Sequence, residues 1–549
     1  MKKIGIFIGV EYFRLPAEEL KREGLIRLSS IIINQLNLRT DTEAIAICSK
    51  LAKPVLQSAF GDINKQDIQF LTPSDSPPLF SFMQWRDKRN KKQTNKHNRL
   101  LYFLTTLPSN CIKLVKRNVK KIIFNSVTSL YKAMLCFMFL VLFIYITTQI
   151  IWATFKPEFL DVVISFASLI ALFLALILTR KISQKFFVKS AALIRYLKAN
   201  LNHQMLSLYD EVRNHEVNRL VELINKSDLD FVFVPTAFYS QVSLIKKPMV
   251  VTIPDLLICD YPQYYVSKGG NLDKVIDRMR ELIANTNYFT CYSDYVAKRY
   301  ILPFAKSSAK IRTISHGNTS IAQELMNQHS PNNITKRALA IAHKYLKKSH
   351  NTYYSGFNLK DVKYLIYTSQ NRPHKNITNL LKAYNILLRE KFCNVKLILT
   401  GVFEHTESVN QYIINNNLQY DVWSLPNLSN RELAAFDHLA HLAVNPTLFE
   451  GGFPFTFNEA YSVGTPSIMS KIPVVLETIT DEKLQSQMLF DPYDVDDMVE
   501  KIYWGIMNRE KLLELQLPLY QQLSERNWEV AAQDYIDYFN EIMEISNKK

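Results

Sequence analysis

Glycine and cysteine are both scarce in this chain, and the cysteines that occur do not form metal-binding patterns. The 549 residues include 13 glycines and 6 cysteines. No two cysteines are arranged as CxxC, and no histidine lies at zinc-ligand spacing from them. The sequence therefore predicts a protein of a reducing compartment without a structural metal site.

Phosphate-binding glycine motifs are also missing. Neither GxGxxG nor GxxxxGK[ST] occurs, so a dinucleotide site or a P-loop would lack the loop that cradles its phosphates. The apolar run over residues 4–9 is too short for the core of a signal peptide and predicts a first buried strand. With 48% hydrophobic and 21% charged residues, the chain is not disordered as a whole.

Positive charge is plentiful, but it is confined to one stretch. The chain has 66 Lys and Arg residues against 50 Asp and Glu, a formal net charge of +16. Residues 81–198 hold 20 of the basic and 3 of the acidic residues, which leaves a charge of −1 for the rest. A nucleic-acid-binding protein spreads its basic residues over a folded face. The distribution argues against a nucleic-acid partner and indicates a nearly neutral protein carrying a basic module.

Two long apolar runs lie inside this basic stretch. Residues 133–155 contain no formal charge, and residues 159–178 contain only Asp161. Each run is close to the ~20 residues that a helix needs to cross a bilayer. Basic residues flank the pair on both sides, so we predict a two-helix hairpin, transmembrane or re-entrant, with both flanks on the cytoplasmic face of the inner membrane. The alternative is a pair of buried helices in a soluble core, although core helices are normally shorter and amphipathic.

Two series of alternating strands and helices remain when the hairpin is set aside. Strands are predicted in the first series near residues 3–8, 44–47, 230–235, 249–253 and 288–291, and in the second near 364–367, 395–400, 422–425, 442–444 and 467–469. Buried β-branched runs that alternate with helices are typical of parallel sheets covered on both faces. We therefore predict an α/β protein with two facing Rossmann-like, doubly wound domains.

The hairpin is predicted to be inserted into the first of these domains. The predicted bounds are 1–80 with 199–345 for the first domain, 81–198 for the hairpin and its flanks, 346–527 for the second domain, and 528–549 for a final helix. Ligands of such sheets bind at the carboxyl ends of the strands, so the cleft between the domains is the expected site.

Two basic residues follow the first strand of the second domain. Arg372 and Lys375 lie three residues apart, between the end of that strand and a helix that begins near Ile377. Cationic side chains at a helix start suit a diphosphate group. Surface basic residues near helix starts are common, so this pattern is a weak signal when it is taken alone.

Two carboxylates bracket a glycine turn later in the same domain. Glu450 is followed by Gly451, Gly452 and Phe453, and Glu459 lies on the helix that comes next. The turn lets backbone N–H groups approach an anionic ligand, and carboxylates accept hydrogen bonds from sugar hydroxyls. A carboxylate near a helix start can instead only compensate the helix dipole, which accounts for Glu459 but not for the whole stretch.

This combination resembles the paired-glutamate signature of the retaining nucleotide-sugar glycosyltransferases of family 4, which have the two-domain GT-B fold. In that family the first glutamate contacts the donor sugar, the second contacts the ribose, and a basic pair holds the diphosphate. The resemblance implies these roles for Glu450, for Glu459, and for Arg372 with Lys375. It extends to the segment over residues 489–493 and to Trp528, which begins a final helix that in this fold returns to the first domain.

The sequence departs from the family pattern at three places. Eight residues separate Glu450 from Glu459, where the family usually has seven. Gln370 stands where many members have an arginine. Pro254, before Asp255, replaces the histidine of a segment that often reads His-Asp-Leu.

The resemblance supplies the candidate site residues. The catalytic candidates are Glu450, Arg372 and Lys375. The donor-binding candidates are Glu459, Gly451, Gly452, Phe453, Gln370 and Gly401. The acceptor-side candidates are Asp255, Ser293, His316 and Gly24.

The function that the resemblance implies is transfer of a hexose-type sugar, such as mannose, from a nucleotide-diphosphate donor to a glycan or lipid-linked glycan. Retention of configuration, a role in bacterial surface-polysaccharide synthesis and membrane lipid as a partner are part of this expectation. No metal or other cofactor is expected, and Asp228-Leu229-Asp230 is interpreted as a solvated corner. The alternatives are a noncatalytic membrane-anchored scaffold and another GT-B enzyme, such as a sugar-nucleotide epimerase or a phosphorylase.

Overall fold

The computed structural model describes nine stretches of the chain, namely residues 1–14, 17–20, 24–61, 68–84, 209–263, 272–326, 333–348, 352–401 and 407–548. It forms two compact units, one of Met1–Ser76 with Asn214–Lys549 and one of Pro77–Arg213. In the second unit residues 78–84 and 209–213 are helical. The predicted hairpin over 133–155 and 159–178 lies outside the described residues. Within the nine described stretches, no helix is both long and apolar enough to cross a membrane.

The first unit contains two parallel sheets, and the first sheet has seven strands. These strands are β1 Lys2–Gly9, β2 Thr42–Cys48, β3 Gln69–Leu71, β4 Phe231–Val234, β5 Met249–Ile253, β6 Tyr288–Cys291 and β7 Lys310–Thr313. Their order is β3-β2-β1-β4-β5-β6-β7, and every neighbouring pair is parallel. The central strands are buried on both faces, as the continuous apolar run of β4 predicts.

Helices cover this sheet. They are Ala17–Leu20, α1 Gly24–Asn37, α2 Lys53–Gly61, the helical residues 214–226, Leu257–Asp260, α3 Leu272–Asn285 and Asp294–Val296, with shorter helical turns at Tyr12–Arg14, Ser240–Leu244, Ala297–Ile301 and Ala322–Glu324. Helix α1 shows why they form: Ile26, Ile32, Ile33 and Leu36 recur at helical spacing and are all buried.

The second sheet has six strands, which are β8 Tyr364–Tyr367, β9 Lys396–Leu399, β10 Val422–Ser424, β11 Leu442–Asn445, β12 Ser467–Ser470 and β13 Leu489–Phe490. Their order is β10-β9-β8-β11-β12-β13, again with parallel neighbours. The order reverses direction between β8 and β11, which makes this a switch point where open α/β sheets bind ligands.

The helices around the second sheet are α4 Ile334–Lys348, Thr352–Ser355, the turn Pro373–Lys375, α5 Ile377–Arg389, α6 Glu407–Asn415, α7 Asn430–Leu439, α8 Phe455–Ser462, α9 Pro473–Thr478, α10 Glu482–Met488, α11 Val495–Met507 and α12 Arg509–Ser524. The predicted domain boundary at residue 345 falls within α4, whose Ala342 and Leu346 are buried in the core of the second domain.

The final helix, α13 Trp528–Asn547, packs on the first domain. The Phe539 ring lies 4.9 Å from that of Phe231 and 5.0 Å from that of Phe233, measured between ring centroids. The Arg39 guanidinium donates to the side chain of Gln533 at 3.0 Å. The chain thus returns from the second domain to the first, and α13 ties the two together.

The predicted architecture, α/β with two domains built on parallel sheets, is confirmed. Three strands were not predicted, and each is short or peripheral: β3, β7 and β13. Strand β7 reads Lys-Ile-Arg-Thr and has no buried residue, because it lies at the edge of its sheet. Edge strands lack the continuous apolar run that marks a strand buried on both faces.

Candidate active site

The candidate site lies where loops from the two domains meet. From the second domain come the loop after β8, which holds Arg372 and Lys375, and the loop after β11, which holds Glu450 and the glycine turn. From the first domain come the loops after β5 and β6. All four loops follow the carboxyl ends of parallel strands, as ligand sites of such sheets do.

An ion pair between Lys375 and Glu450 occupies the second-domain side of the site. The Lys375 Nζ atom lies 2.5 Å from Glu450 Oε1, and the two side chains are 17% and 23% exposed. Lys375 is held by the turn Pro373–Lys375, which ends at Asn376 with a left-handed φ of 57°. The Asn376 amide donates to the Pro492 carbonyl at 2.8 Å and fixes this turn against the loop after β13. The pair joins two residues that the sequence indicated in separate motifs.

Arg372 lies beside this pair and is exposed. Among the described residues, none forms a hydrogen bond or ion pair with its guanidinium group. Its positive charge acts on the carboxylate of Asp255 in the first domain and offsets part of the rise that burial causes in the pKa of that group. An exposed guanidinium at the end of a strand is available to an anionic ligand.

His374, between the two basic residues, is buried and structural. Its backbone carbonyl accepts from the Leu448 amide at 2.7 Å and from the Thr447 hydroxyl at 3.4 Å, which joins the β8 and β11 loops. Burial, and then the charges of Lys375 and Arg372, lower the pKa of His374 to about 3. The imidazole is therefore neutral at physiological pH and adds no charge to the site.

The glycine turn contacts the first domain closely. The Ser293 hydroxyl donates to the Gly451 carbonyl at 2.9 Å. A Cβ atom at Gly451 would lie 2.1 Å from the Pro254 carbonyl oxygen and 3.0 Å from Asp255 Cβ. Only a residue without a side chain fits at this approach of two backbones. The same Ser293 oxygen also accepts from the Val296 amide at 3.2 Å and caps the short helix there.

His316 packs over the second glycine of the turn. A Cβ atom at Gly452 would lie 3.0 Å from His316 Cδ2 and Nε2. The imidazole centroid lies 3.9 Å from that of Tyr292 and 4.6 Å from that of Phe455. Burial, with a smaller contribution from Arg526, lowers the pKa of His316 to about 3. At neutral pH His316 is an uncharged ring that helps to pack the turn.

Asp255 lies in the cleft beside the turn. Its side chain is accessible to solvent, but the protein around it raises the pKa, and the nearby Glu450 carboxylate raises it further. A hydrogen bond from the Leu257 amide at 3.2 Å and the charges of Arg372 and Lys375 act in the opposite direction. Asp255 is thus a carboxyl group of the first domain that faces the cationic side of the second.

Glu459 lies deeper, on α8. Burial raises its pKa, and Arg27 of the first domain offsets part of that shift. The Arg27 guanidinium lies over the Trp528 ring at 5.2 Å and donates to the Thr319 hydroxyl at 2.6 Å. Burial and the charge of Glu459 also raise the pKa of Asp437 well above its usual value.

The other predicted residues are more loosely placed. Phe453 is partly buried, with its ring centroid 5.8 Å from that of Phe457. Gln370 is exposed, and Gly401 is buried just after β9, where its carbonyl accepts from the Ser424 hydroxyl at 3.1 Å. Gly24 begins α1, and a Cβ atom there would meet nothing within 4 Å. Among the described residues, no hydrogen bond or ion pair joins these four positions to the side chains of Lys375 and Glu450.

A cavity of about 530 Å³ opens beside Glu450. The first domain lines it with Asp260, Tyr261 and Tyr295, and the second domain with Glu450, Lys471 and Tyr493, among others. Its volume is in the range of about 300–1,000 Å³ that is typical of small-molecule sites.

Metal-ligand clusters are absent from the described stretches of the chain, where no three His, Cys, Asp or Glu side chains are grouped to hold an ion. The acidic residues of Asp228-Leu229-Asp230 contact Lys3 instead. Asp228 pairs with the Lys3 ammonium, and Asp230 accepts from the Lys3 amide at 2.8 Å. These carboxylates therefore fasten β1 to the turn before β4.

The sequence motifs did not indicate Arg27, Lys471, Tyr261 or Tyr493 as site residues. The charge of Arg27 acts on Glu459 only because the first domain packs on α8 and α13, and no local sequence pattern indicates that interaction. Tyr493 belongs to the segment after β13 that resembles the family, so a signal was present, but no role accompanied it.

Comparisons with known proteins agree with the geometry of the second domain. Residues 355–525 match the family described as Glycosyl transferases group 1. The O-antigen chain mannosyltransferase B of Escherichia coli is 27% identical over 250 residues, which cover 43% of this chain. The chain spans 64% of the length of that relative. These matches confirm the predicted enzyme class, a glycosyltransferase, and the similarity to the group 1 family lies in residues 355–525.

Solved structures agree with the fold as a whole. The N-terminal domain of Candida albicans trehalose-6-phosphate phosphatase superposes with a TM-score of 0.54 and 11% identity, over 98% of this chain and 97% of that one. Anabaena HepE, solved in complex with UDP, superposes with a TM-score of 0.51 and 11% identity, over 98% of this chain and 100% of its own. At this identity the likeness establishes the two-domain fold alone.

Proposed function

We propose that this protein transfers a hexose-type sugar, mannose or a similar hexose, from a nucleotide-diphosphate donor to a glycan or lipid-linked glycan acceptor, with retention of configuration. One observation carries the proposal most directly. Lys375 pairs with Glu450 beside the exposed Arg372, under a glycine turn that the first domain closes over. Two cations next to a carboxylate suit a diphosphate and the sugar that it carries.

The two cations suit the leaving group of such a reaction. The bond between the sugar and the diphosphate breaks through an oxocarbenium-like state, so negative charge develops on the departing phosphates. Positive charge that is already fixed beside the departing phosphate oxygens stabilises the transition state, because the protein does not have to reorganise during the reaction. In the proposed reaction Arg372 and Lys375 supply this charge together with N–H groups of the glycine turn.

The Lys375–Glu450 pair adds a coupling between binding and chemistry. Without donor, each side chain neutralises the other in a partly buried cleft. A bound diphosphate competes for the Lys375 ammonium and leaves Glu450 free to accept hydrogen bonds from hydroxyls of the donor sugar. In this scheme Glu450 is released from its ion pair, and becomes available to the sugar, only when a donor is present.

The first domain contributes closure to this scheme. Two interactions join the faces of the cleft: the hydrogen bond from the Ser293 hydroxyl to the Gly451 carbonyl, and the close approach of Gly451 to Pro254. Closure excludes water, which would otherwise hydrolyse the donor. Asp255, beside the turn, then faces the acceptor hydroxyl, and its raised pKa suits a group that handles a proton.

The acceptor class and location of the proposal rest on two further supports. The relative from Escherichia coli is named as an O-antigen chain mannosyltransferase, which favours mannose and a surface polysaccharide. The predicted hairpin over 133–178 favours membrane lipid as a partner and the cytoplasmic face of the inner membrane as the location. An enzyme tethered there has a lipid-linked acceptor close at hand.

Donor profiling tests the proposed reaction. The full-length protein in detergent is incubated with GDP-mannose, UDP-glucose, UDP-galactose and UDP-N-acetylglucosamine, and mass spectrometry detects released nucleotide and glycosylated product. We expect turnover of one donor, and a loss of about 10²–10³-fold in Arg372→Gln. Arg389→Gln, which alters an exposed arginine at the far end of α5, is the matched control. Turnover of no donor, or equal rates in the two variants, would contradict the proposal.

Deletion of Met134 to Leu178 tests the membrane part separately. We expect the shortened protein to move to the soluble fraction and to lose transfer to lipid-linked acceptor more than donor hydrolysis. Equal losses of both activities would count against a tethering role.

A further inference from the structure

We infer that the cavity beside Glu450 is a subsite for one neutral sugar residue of the acceptor glycan, with Tyr493 and Lys471 as its main contacts. The inference rests on the proposed function and deepens it. It concerns a part of the cleft to which the sequence assigned no role.

The strand order places this cavity on the opposite side of Glu450 from Gly401 and from the basic pair Arg372 and Lys375. Gly401 follows β9, the basic pair follows β8, and Glu450 follows β11. The second-domain residues of the cavity follow β11, β12 and β13. In the sheet these strands run in the order β9-β8-β11-β12-β13, so Glu450 separates a donor half from a β12–β13 half. A sugar passing from donor to acceptor crosses that boundary.

The walls of the cavity suit a sugar ring. Tyr261 and Tyr295 line it from the first domain, and Phe449 and Tyr493 line it from the second. Tyr493 is 70% exposed, so its ring is accessible to a ligand. Aromatic rings pack against the apolar face of a sugar while their hydroxyls form hydrogen bonds.

Polar groups of the cavity are available for hydroxyl groups. Among the residues that the structure describes, the Lys471 ammonium forms no hydrogen bond or ion pair. The Asp491 carboxylate is exposed and accepts from the Tyr493 amide at 2.9 Å, which orients the tyrosine loop. A donor and an acceptor thus flank the aromatic wall.

The charge balance favours a neutral ligand over a phosphate group. Carboxylates of Asp260, Glu450 and Asp491 line the cavity with one ammonium, that of Lys471. Asp260 and Glu450 are paired with Arg299 and Lys375, so the local charge sums to about zero. A phosphate or lipid headgroup binds best where positive charge is in excess, which is the case at Arg372 and Lys375 and not here.

Both domains must be in place for the subsite to exist. The hydroxyl groups of Tyr261 and Tyr493 lie 3.4 Å apart, at the limit of a hydrogen bond between the domains. The Asp260 carboxylate, which accepts from the Tyr300 hydroxyl and lies 3.4 Å from Arg299, fixes the loop that carries Tyr261. An acceptor sugar bound here would therefore favour the closed cleft.

Sugar binding to the full-length protein in detergent tests the inference without any catalytic step. Saturation-transfer NMR measures the affinities for α-1,3-mannobiose, maltose and lactose, each without nucleotide. We expect at least one of the three to bind and to lose affinity about tenfold or more in Tyr493→Ala and in Lys471→Ala. Tyr420→Ala and Lys483→Ala, which alter an exposed tyrosine and an exposed lysine elsewhere in the same domain, should bind like wild type.

The other outcomes separate the subsite from the proposed function. Binding of none of the three sugars to wild type, or equal affinity in all variants, would overturn the subsite. Competition by inorganic phosphate that depends on Lys471 would overturn it too, in favour of an anion. Binding of GDP and UDP is measured in parallel: a protein that binds sugar but neither nucleotide contradicts the proposed function and leaves the subsite standing.

Discussion

The two faces of the cleft differ in kind. The face of the second domain contributes charge, and we name it the charged face: it holds Arg372, Lys375 and Glu450 in the loops after β8 and β11. The face of the first domain contributes close packing, and we name it the packed face: it holds the Pro254 carbonyl, the Ser293 hydroxyl and the neutral ring of His316. The difference indicates that the two domains have separate roles: the second stabilises the departing phosphates, and the first closes over the turn that holds them.

The largest effect should come from the charged face. We expect Lys375→Ala to lower turnover of the donor about 10²–10³-fold, because it removes fixed positive charge from the leaving group. Steady-state release of nucleotide measures the loss. Lys396→Ala removes a lysine that pairs with Asp421 at 2.7 Å elsewhere in the domain, so it is the matched control. Similar rates in the two variants would place the chemistry elsewhere.

The second-largest loss of activity should come from a change in the packed face. A methyl group at Gly451 would lie 2.1 Å from the Pro254 carbonyl oxygen, so Gly451→Ala forces the domains apart. Overpacking of this kind costs about 1–3 kcal/mol, and we expect a fall in sugar transfer of roughly tenfold to hundredfold. The ratio of transfer to donor hydrolysis should fall as well, because an open cleft admits water.

Gly61→Ala is the control for that variant, since a Cβ atom at Gly61 meets nothing within 4 Å. If Gly451→Ala keeps the transfer rate and the transfer-to-hydrolysis ratio of wild type, closure through this turn plays no part in the reaction.

Acid should lower the stability of the folded protein through His374, which lies between the two basic residues of the charged face. Its pKa is lowered to about 3 in the folded protein, whereas an unfolded histidine titrates near 6.5. As the pH falls below 6.5, the unfolded chain binds a proton that the native state excludes, so stability is lost. By pH 5 this residue should remove about 2 kcal/mol from the free energy of unfolding.

Urea unfolding at pH 7.5 and pH 5 measures whether the free energy of unfolding falls with the pH as predicted. We expect His374→Asn to be less stable than wild type at pH 7.5 but to lose about 2 kcal/mol less between the two pH values. The exposed His215, replaced by Asn, serves as the control. An equal loss of stability in wild type and His374→Asn would contradict the assignment of His374 as a buried neutral group.

The smallest effect should come from the single hydrogen bond between the faces. Ser293→Ala removes the donor to the Gly451 carbonyl, and a neutral hydrogen bond of this kind contributes about 0.5–1.5 kcal/mol. We expect a two- to tenfold fall in transfer, with nucleotide affinity unchanged. Ser293→Thr, which keeps the hydroxyl, should restore most of the rate, and failure to do so would favour a purely capping role.

The sequence predicts the charged face far better than the packed one. The residues of the charged face lie in short segments at the ends of strands, where local pattern and resemblance both mark them. The ion pair between Lys375 and Glu450 was not predicted, because the two residues are 75 positions apart and meet only when β8 and β11 become neighbours.

The packed face and the cavity depend on tertiary closure. Nothing in the local sequence of Arg27 records its approach to Glu459, and Tyr261 reaches Tyr493 across two domains. The strands show the same limit: buried central strands were found within one or two residues of their ends, whereas the short β13 and the edge strands β3 and β7 were missed. The hairpin, its membrane location and the domain bounds stay predictions.

Calorimetric titration of the full-length protein with GDP and with UDP tests the central claim most directly, since that claim is that the charged face holds a nucleoside diphosphate. We predict that one of the two binds to wild type and that Lys375→Ala and Arg372→Gln each weaken this binding about tenfold or more, while Arg389→Gln does not. Binding of neither nucleotide, or equal affinity in all four proteins, would contradict it.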